Sequence, residues 1–183
     1  MTHWLMSAAS LSVVVVASVT DLRAGRIPNW LTLPTMLAGV IGNSVVWGVA
    51  GASESLIGLI VCVLVPGVVY QTSRGQGIGG GDIKLFAGLG ALLGPMQGLE
   101  VELSSFLLVA LFAMFRLAFL GQLGRTLHRA FLVAAGLFIR RLRDKVSESH
   151  VPMTTMRMGP AIAVAVATVL ALPRILRWLP WLG

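Results

Sequence analysis

The chain has 183 residues, of which 56% are hydrophobic and only 11% charged, with a formal net charge of +7. Soluble domains carry about a quarter charged residues, so this balance excludes an ordinary water-soluble enzyme and points to a membrane protein. Nucleic acid is not the implied partner of the positive charge, because the basic residues fall in loops between apolar runs with few aromatics among them.

The runs are continuous, rich in Leu, Val, Ala and Gly, and lack the alternation of a barrel strand. Only helices or closed barrels satisfy their backbone in lipid, so these runs predict an all-α polytopic membrane bundle. Six transmembrane helices are expected, at about 4–20, 29–50, 54–72, 82–94, 101–121 and 158–178, within a single membrane-embedded domain covering 1–183. The first run has no basic n-region and leads into DLRAGRIPN, not a small-residue cleavage site, so it reads as a retained helix. Pro28 breaks the chain before the second span. A lone Cys62 inside the third span reads as packing, since it allows no intrachain disulfide and no cysteine metal cluster.

An even number of crossings puts the loops at 21–28, 73–81 and 122–157 on one face. These loops hold Arg23, Arg26, Arg74, Arg125, Arg129, Arg140, Arg141, Arg143, Lys145 and Arg157, whereas the opposite loops offer Glu54, Glu100 and Glu102. The positive-inside rule makes the first face cytoplasmic and places both termini outside. Arg116 snorkels at the cytoplasmic end of the fifth span. Leu123, Leu127, Phe131, Ala135, Phe138, Leu142 and Val146 mark one helical stripe with basic residues on other faces, so 122–157 is expected to hold a basic amphipathic helix on anionic lipid. Trp178 and Trp181 suggest an interfacial anchor for the tail.

Two of the seven acidic residues, Asp21 and Asp82, fall at cytoplasmic helix ends, at the same depth. Acids at membrane depth are costly and face a bundle interior or watery cavity, which makes them functional candidates. Each also has a structural reading: Asp82 as a first-turn residue favoured by the helix dipole, Asp21 as a partner of Arg23 or Arg26. Two carboxyls at close range share one proton across a wide pH range, which is the equipment of an aspartic protease. The ionised member draws a proton from the attacking water and the protonated member donates to the carbonyl oxygen or leaving amine, with no metal and no cofactor. Gly79, Gly80 and Gly81 before Asp82 offer unusual backbone conformations and space for an extended substrate; a mere flexible turn is the alternative. A phosphate loop fits poorly, for there is no Walker lysine or Rossmann strand. His3, His128 and His150 show no metal-ligand spacing.

GGGDIKL at 79–85 resembles the GxGD signature of the type IV prepilin peptidases, and DLRAGRIPNWLT at 21–32 resembles their first aspartate motif. GPAIA at 159–163 is similar to the Gly-Pro segment that opens the family's last helix, with Arg157-Met158 where an aromatic residue is common. The resemblance implies an inner-membrane aspartic endopeptidase with Asp21 and Asp82 as its catalytic pair, active at the cytoplasmic face. Its substrates would be prepilins or pseudopilins, cut after a glycine that precedes their hydrophobic helix. Gly79, Gly81 and Lys84 match the motif; Pro28, Asn29, Gly159 and Pro160 are supporting positions. Larger bifunctional members carry a cysteine-containing cytoplasmic extension between their first two spans, where this chain has about eight residues. N-methyltransferase activity is therefore not expected, and the compact form is more like the peptidases of tight-adherence (Flp) systems.

Two roles stay open for Asn29, a cap of the second span or a hydrogen bond near Asp21, and two for Lys84, snorkelling or electrostatic tuning of the acids. The rival function is a membrane proton or cation carrier, which would call for broken helices or repeats near the midplane. A non-catalytic assembly subunit would need neither acid.

Overall fold

The computed structural model describes residues 3–72, 78–119 and 158–176. Every regular element among them is a helix: α1 (His3–Ala24), α2 (Asn29–Thr72), α3 (Gly80–Phe119) and α4 (Gly159–Leu176). Three of these are long and apolar enough to cross a membrane, over Leu5–Ala24, Asn29–Thr72 and Gly80–Arg116, while the apolar helix at Gly159–Ala171 is shorter. The amphipathic segment expected at 122–157, and Trp178 and Trp181, lie outside the described residues. Of those described, 3–108 and 158–176 belong to one compact unit and 109–119 to a second.

Neither α2 nor α3 is one straight rod. The Ser55 hydroxyl oxygen lies 3.2 Å from the Gly39 carbonyl oxygen although the two are 16 residues apart, a separation of about 24 Å along a straight helix. The chain turns back at Gly48, where φ is 64° and ψ is −143°. In α3 the break is Gly94, with φ 80° and ψ 175°, followed by Pro95. A Cβ on Gly98 would stand 3.0 Å from the Gly90 Cα, so the two arms of α3 lie against each other. Such backbone angles are essentially confined to glycine. The sequence placed short loops at these reversals, whereas the structure makes each with one glycine inside a nearly continuous helix.

Packing inside the first unit is by small residues. The buried positions of the second α2 arm are Gly51, Ser55, Gly58, Cys62 and Pro66, three or four apart, while Ile57, Ile60, Leu64 and Val68 are exposed. Small side chains let backbones approach, and large apolar ones suit lipid, the arrangement of a membrane bundle. Gly58 meets the Gly90 carbonyl so closely that a Cβ on either would collide with the other's backbone, and a Cβ on Gly39 would lie 2.6 Å from the Ala91 carbonyl carbon. Asn43 and Ser55 bridge the arms of α2 and both donate to the Ala91 carbonyl, at 3.0 and 2.7 Å. Phe86 packs on Phe106 across the α3 reversal, with ring centroids 5.8 Å apart. In the second unit, the described end of α3 pairs Phe115 with Phe119 at 4.6 Å, and Arg116 is exposed.

Glu102 departs from its expected place. It is fully buried in α3 rather than in a loop, with a thiol as the polar group against its carboxylate. The Cys62 thiol lies beside it, itself fully buried, as the packing reading of that cysteine expects.

Candidate active site

Asp21 sits in the last turn of α1, because the helix continues past the expected boundary at residue 20 and stops at Ala24. Gly25 ends it. With φ of 63° it takes the left-handed conformation, and its amide donates to the Asp21 carbonyl at 2.8 Å, the single-bond glycine cap of a helix C-terminus. The cap fixes the Asp21 backbone, while the side chain, 6% exposed, reaches across to another helix. There Gly159, the first residue of α4, donates its amide to Asp21 Oδ2 at 3.0 Å. Amides of a first helical turn have no partner within their own helix, so an aspartate on α1 caps α4 in trans. Pro160 follows without cost, because the second residue of a helix needs no amide hydrogen. Arg23 and Arg26, the alternative partners, are exposed.

Asp82 is held in a parallel way. Its own amide bonds back to the Gly79 carbonyl at 3.1 Å, which makes Gly79 the cap residue of α3 and Asp82 the third helical residue. Its Oδ2 then accepts the Gly79 amide at 3.1 Å, the reciprocal pattern of a capping box. Asp82 is 8% exposed, and its charge and that of Asp21 are within electrostatic reach of each other. Both carboxylates thus rest one oxygen on a helix-terminal amide. The structural reading of Asp82 as a first-turn acid therefore fits its place at the start of α3.

None of the three glycines has a positive φ, so Gly79 and Gly81 serve by closeness rather than by unusual backbone angles. A Cβ on Gly79 would lie 3.0 Å from Asp82 Oδ2, and one on Gly81 would lie 3.1 Å from the Ile27 Cβ and carbonyl oxygen. Gly81 therefore seats the start of α3 on the α1–α2 connection, just beyond Asp21. Gly80 differs: among the described residues a Cβ there meets nothing within 4 Å, which makes it the open side of the described loop. Pro28 caps α2 with its carbonyl, which accepts from Leu31 and Thr32 at 3.1 and 3.4 Å. Asn29, the first residue of α2, has its Oδ1 bound by Lys84 Nζ at 2.8 Å. The exposed Lys84 ammonium thus ties α3 to α2, a role neither expectation for these residues contained.

Ser18 and Gly25 were not picked out in the sequence. A glycine two residues after a basic residue and three before a proline is a helix stop signal, so Gly25 was within reach; Ser18 carries no local signal. Among the described residues no three His, Cys, Asp or Glu side chains gather into a group that could hold a metal ion. A cavity of about 270 Å³ lies at the far end of α1, beside Met6 and Ser7, roughly 20 Å along the helix from Asp21.

Residues 8–121, which contain both aspartates and the glycine run, match the type IV leader peptidase family. The chain belongs to that family. It is similar to the prepilin leader peptidase/N-methyltransferases of Burkholderia pseudomallei strains 1026b and K96243, each 40% identical over 85 residues, which is 42% of this chain and 26% of the relative. The match thus spans about a quarter of the length of these curated relatives. No solved structure matches the chain. Membership of a leader peptidase family agrees with the motifs at 21–32 and 79–85, both inside the matched residues.

Proposed function

We propose that this leader peptidase family member is an aspartic endopeptidase that removes the leader peptide of prepilins or pseudopilins at the cytoplasmic face of the bacterial inner membrane. The observation that carries the reading is the pair of buried aspartates, delivered by different helices and within electrostatic reach, each with one oxygen on a helix-terminal amide. In this reading the two carboxyls work as a pair that shares one proton. The ionised member removes a proton from water as its oxygen attacks the scissile carbonyl carbon. The protonated member donates its proton to the carbonyl oxygen; the member that took the water's proton then gives it to the leaving amine as the C–N bond breaks, and a hydroxyl of the tetrahedral gem-diol returns a proton to the first, so acid and base exchange roles and no covalent intermediate forms. A scissile strand enters at Gly80, the open side of the loop.

Six crossings fit this assignment, since the reversals at Gly48 and Gly94 divide α2 and α3 into two arms each. With an even number of crossings, the positive-inside rule puts the aspartates at the cytoplasmic rim, against anionic lipid. Only four residues, 25–28, separate α1 from α2, which leaves no room there for a cysteine-bearing extension. The activity is peptidase without N-methyltransferase, in the manner of compact tight-adherence peptidases. The deciding experiment incubates purified protein in detergent or liposomes with leader-bearing prepilins. Mass spectrometry should find one cut directly after a glycine that precedes the hydrophobic helix, and an untouched substrate would refute the assignment.

A further inference from the structure

The trans cap on Asp21 has a second attachment. Ser18 stands three residues before Asp21 on α1, and its hydroxyl oxygen is 2.8 Å from the Gly159 carbonyl oxygen and 2.7 Å from the Val14 carbonyl oxygen. A hydroxyl has one proton to give, so Ser18 divides it between its own helix and the first residue of α4. Gly159 is therefore held at both ends of its residue by the same face of α1. Its amide is on Asp21 Oδ2 and its carbonyl is on Ser18 Oγ. The approach is as close as backbone permits: a Cβ on Gly159 would lie 2.9 Å from the Asp21 Cβ and 3.2 Å from the Ser18 Cα.

We infer that Ser18 is a positioning residue of the peptidase, which through Gly159 fixes the orientation of the Asp21 carboxylate. The inference rests on the peptidase reading and adds to it a residue that touches neither substrate nor water. Its physical basis is a difference in what the two bonds restrain. The amide bond to Oδ2 settles which carboxylate oxygen is spent on the helix end and which stays available to a water shared with Asp82. That amide can turn or withdraw, because a first-turn residue has few hydrogen bonds of its own. The Ser18 hydroxyl removes this freedom by holding the other side of Gly159, and reacting groups lose rate steeply when displaced by as little as about 1 Å. A side chain that packs only for stability would act on folding; one that aims Asp21 acts on turnover.

The experiment measures steady-state prepilin cleavage by the full-length protein and by Ser18→Ala, Ser18→Thr and Asp21→Asn, with thermal unfolding of each in the same detergent. Ser18→Ala is expected to lower kcat about 5- to 30-fold, the effect of losing roughly one or two kcal/mol. Its KM should stay within about twofold, since the substrate itself is untouched. Ser18→Thr, which keeps the hydroxyl and can still bond the carbonyl four residues back, should restore most of kcat. Wild-type kcat in Ser18→Ala, a loss confined to KM, or equal loss in Ala and Thr variants would overturn the inference. The Asp21→Asn arm keeps the two ideas apart. An inactive Asp21→Asn beside a fully active Ser18→Ala sinks the positioning role alone, whereas an active Asp21→Asn sinks the peptidase reading beneath it.

Discussion

Gly159 donates its amide to Asp21 Oδ2 from 138 residues further along the chain, so the end of α1 and the start of α4 are joined through one carboxylate oxygen. An asparagine at position 21 keeps an oxygen for that amide, and an asparagine at 82 keeps one for Gly79. Asp21→Asn and Asp82→Asn should therefore fold like the parent. What each loses is the ability to take or give a proton, and general acid–base catalysis is worth about 10²–10⁴-fold. Either variant should lower prepilin cleavage by at least that factor, read as mature pilin formed by mass spectrometry. Unfolding temperatures should stay close to the parent's.

The pH response follows from the same pair. When both carboxyls are protonated no base remains to activate water, and when both are ionised no acid remains to protonate the carbonyl oxygen. Cleavage rate should rise and then fall with pH, with two limbs that belong to the pair rather than to either residue. A rate measured in buffers of constant ionic strength that is flat across the acid and neutral range would contradict a shared proton.

How much of this was legible in the chain depends on how local each signal is. The helices could be read because lipid allows little else for long apolar runs, and α4 begins at the Gly159-Pro160 step where the sequence placed it. The two acids could be found because a membrane sequence has few of them. The reversals near Gly48 and Gly94 were legible as span boundaries but not as single glycines, because glycine in this backbone region turns the chain without the polar loop that normally marks a turn. Burial of Glu102 beside Cys62 depends on a neighbour 40 residues away in sequence, and the Lys84–Asn29 tie spans 55. Nothing in the local sequence of Ser18 announces a partner 141 positions distant.

Gly80 and Gly81 are adjacent and alike in sequence, yet their surroundings predict opposite results. A methyl at Gly81 would press on Ile27 backbone and side chain at 3.1 to 3.3 Å, so Gly81→Ala forces the start of α3 away from the α1–α2 connection. Overpacking of this kind costs about 1–3 kcal/mol. Gly80→Ala meets nothing among the described residues and gains helix propensity. Thermal unfolding in detergent should show a lowered midpoint for Gly81→Ala and none for Gly80→Ala. A large residue at the open side separates binding from folding. Gly80→Phe should keep the parent's midpoint while raising KM for prepilin, if the scissile strand lies there; an unchanged KM would move the substrate path elsewhere.

Gly94 offers a test of the fold apart from the chemistry. With φ of 80° and ψ of 175°, nothing crowds its Cβ position, so any penalty for Gly94→Ala is backbone strain rather than collision. Residues forced into this region cost about 1–3 kcal/mol each. The reversal presses the Gly98 and Gly90 backbones together and lets Phe86 meet Phe106. Relaxing it toward a straight helix would open both contacts. Gly94→Ala should accordingly lower the unfolding midpoint and raise deuterium exchange at residues 90–98. Asp82 is three turns away along α3, so the fraction that remains folded should cleave prepilin at close to the parent's kcat. An unchanged midpoint and exchange pattern would mean that the chain does not reverse at this glycine.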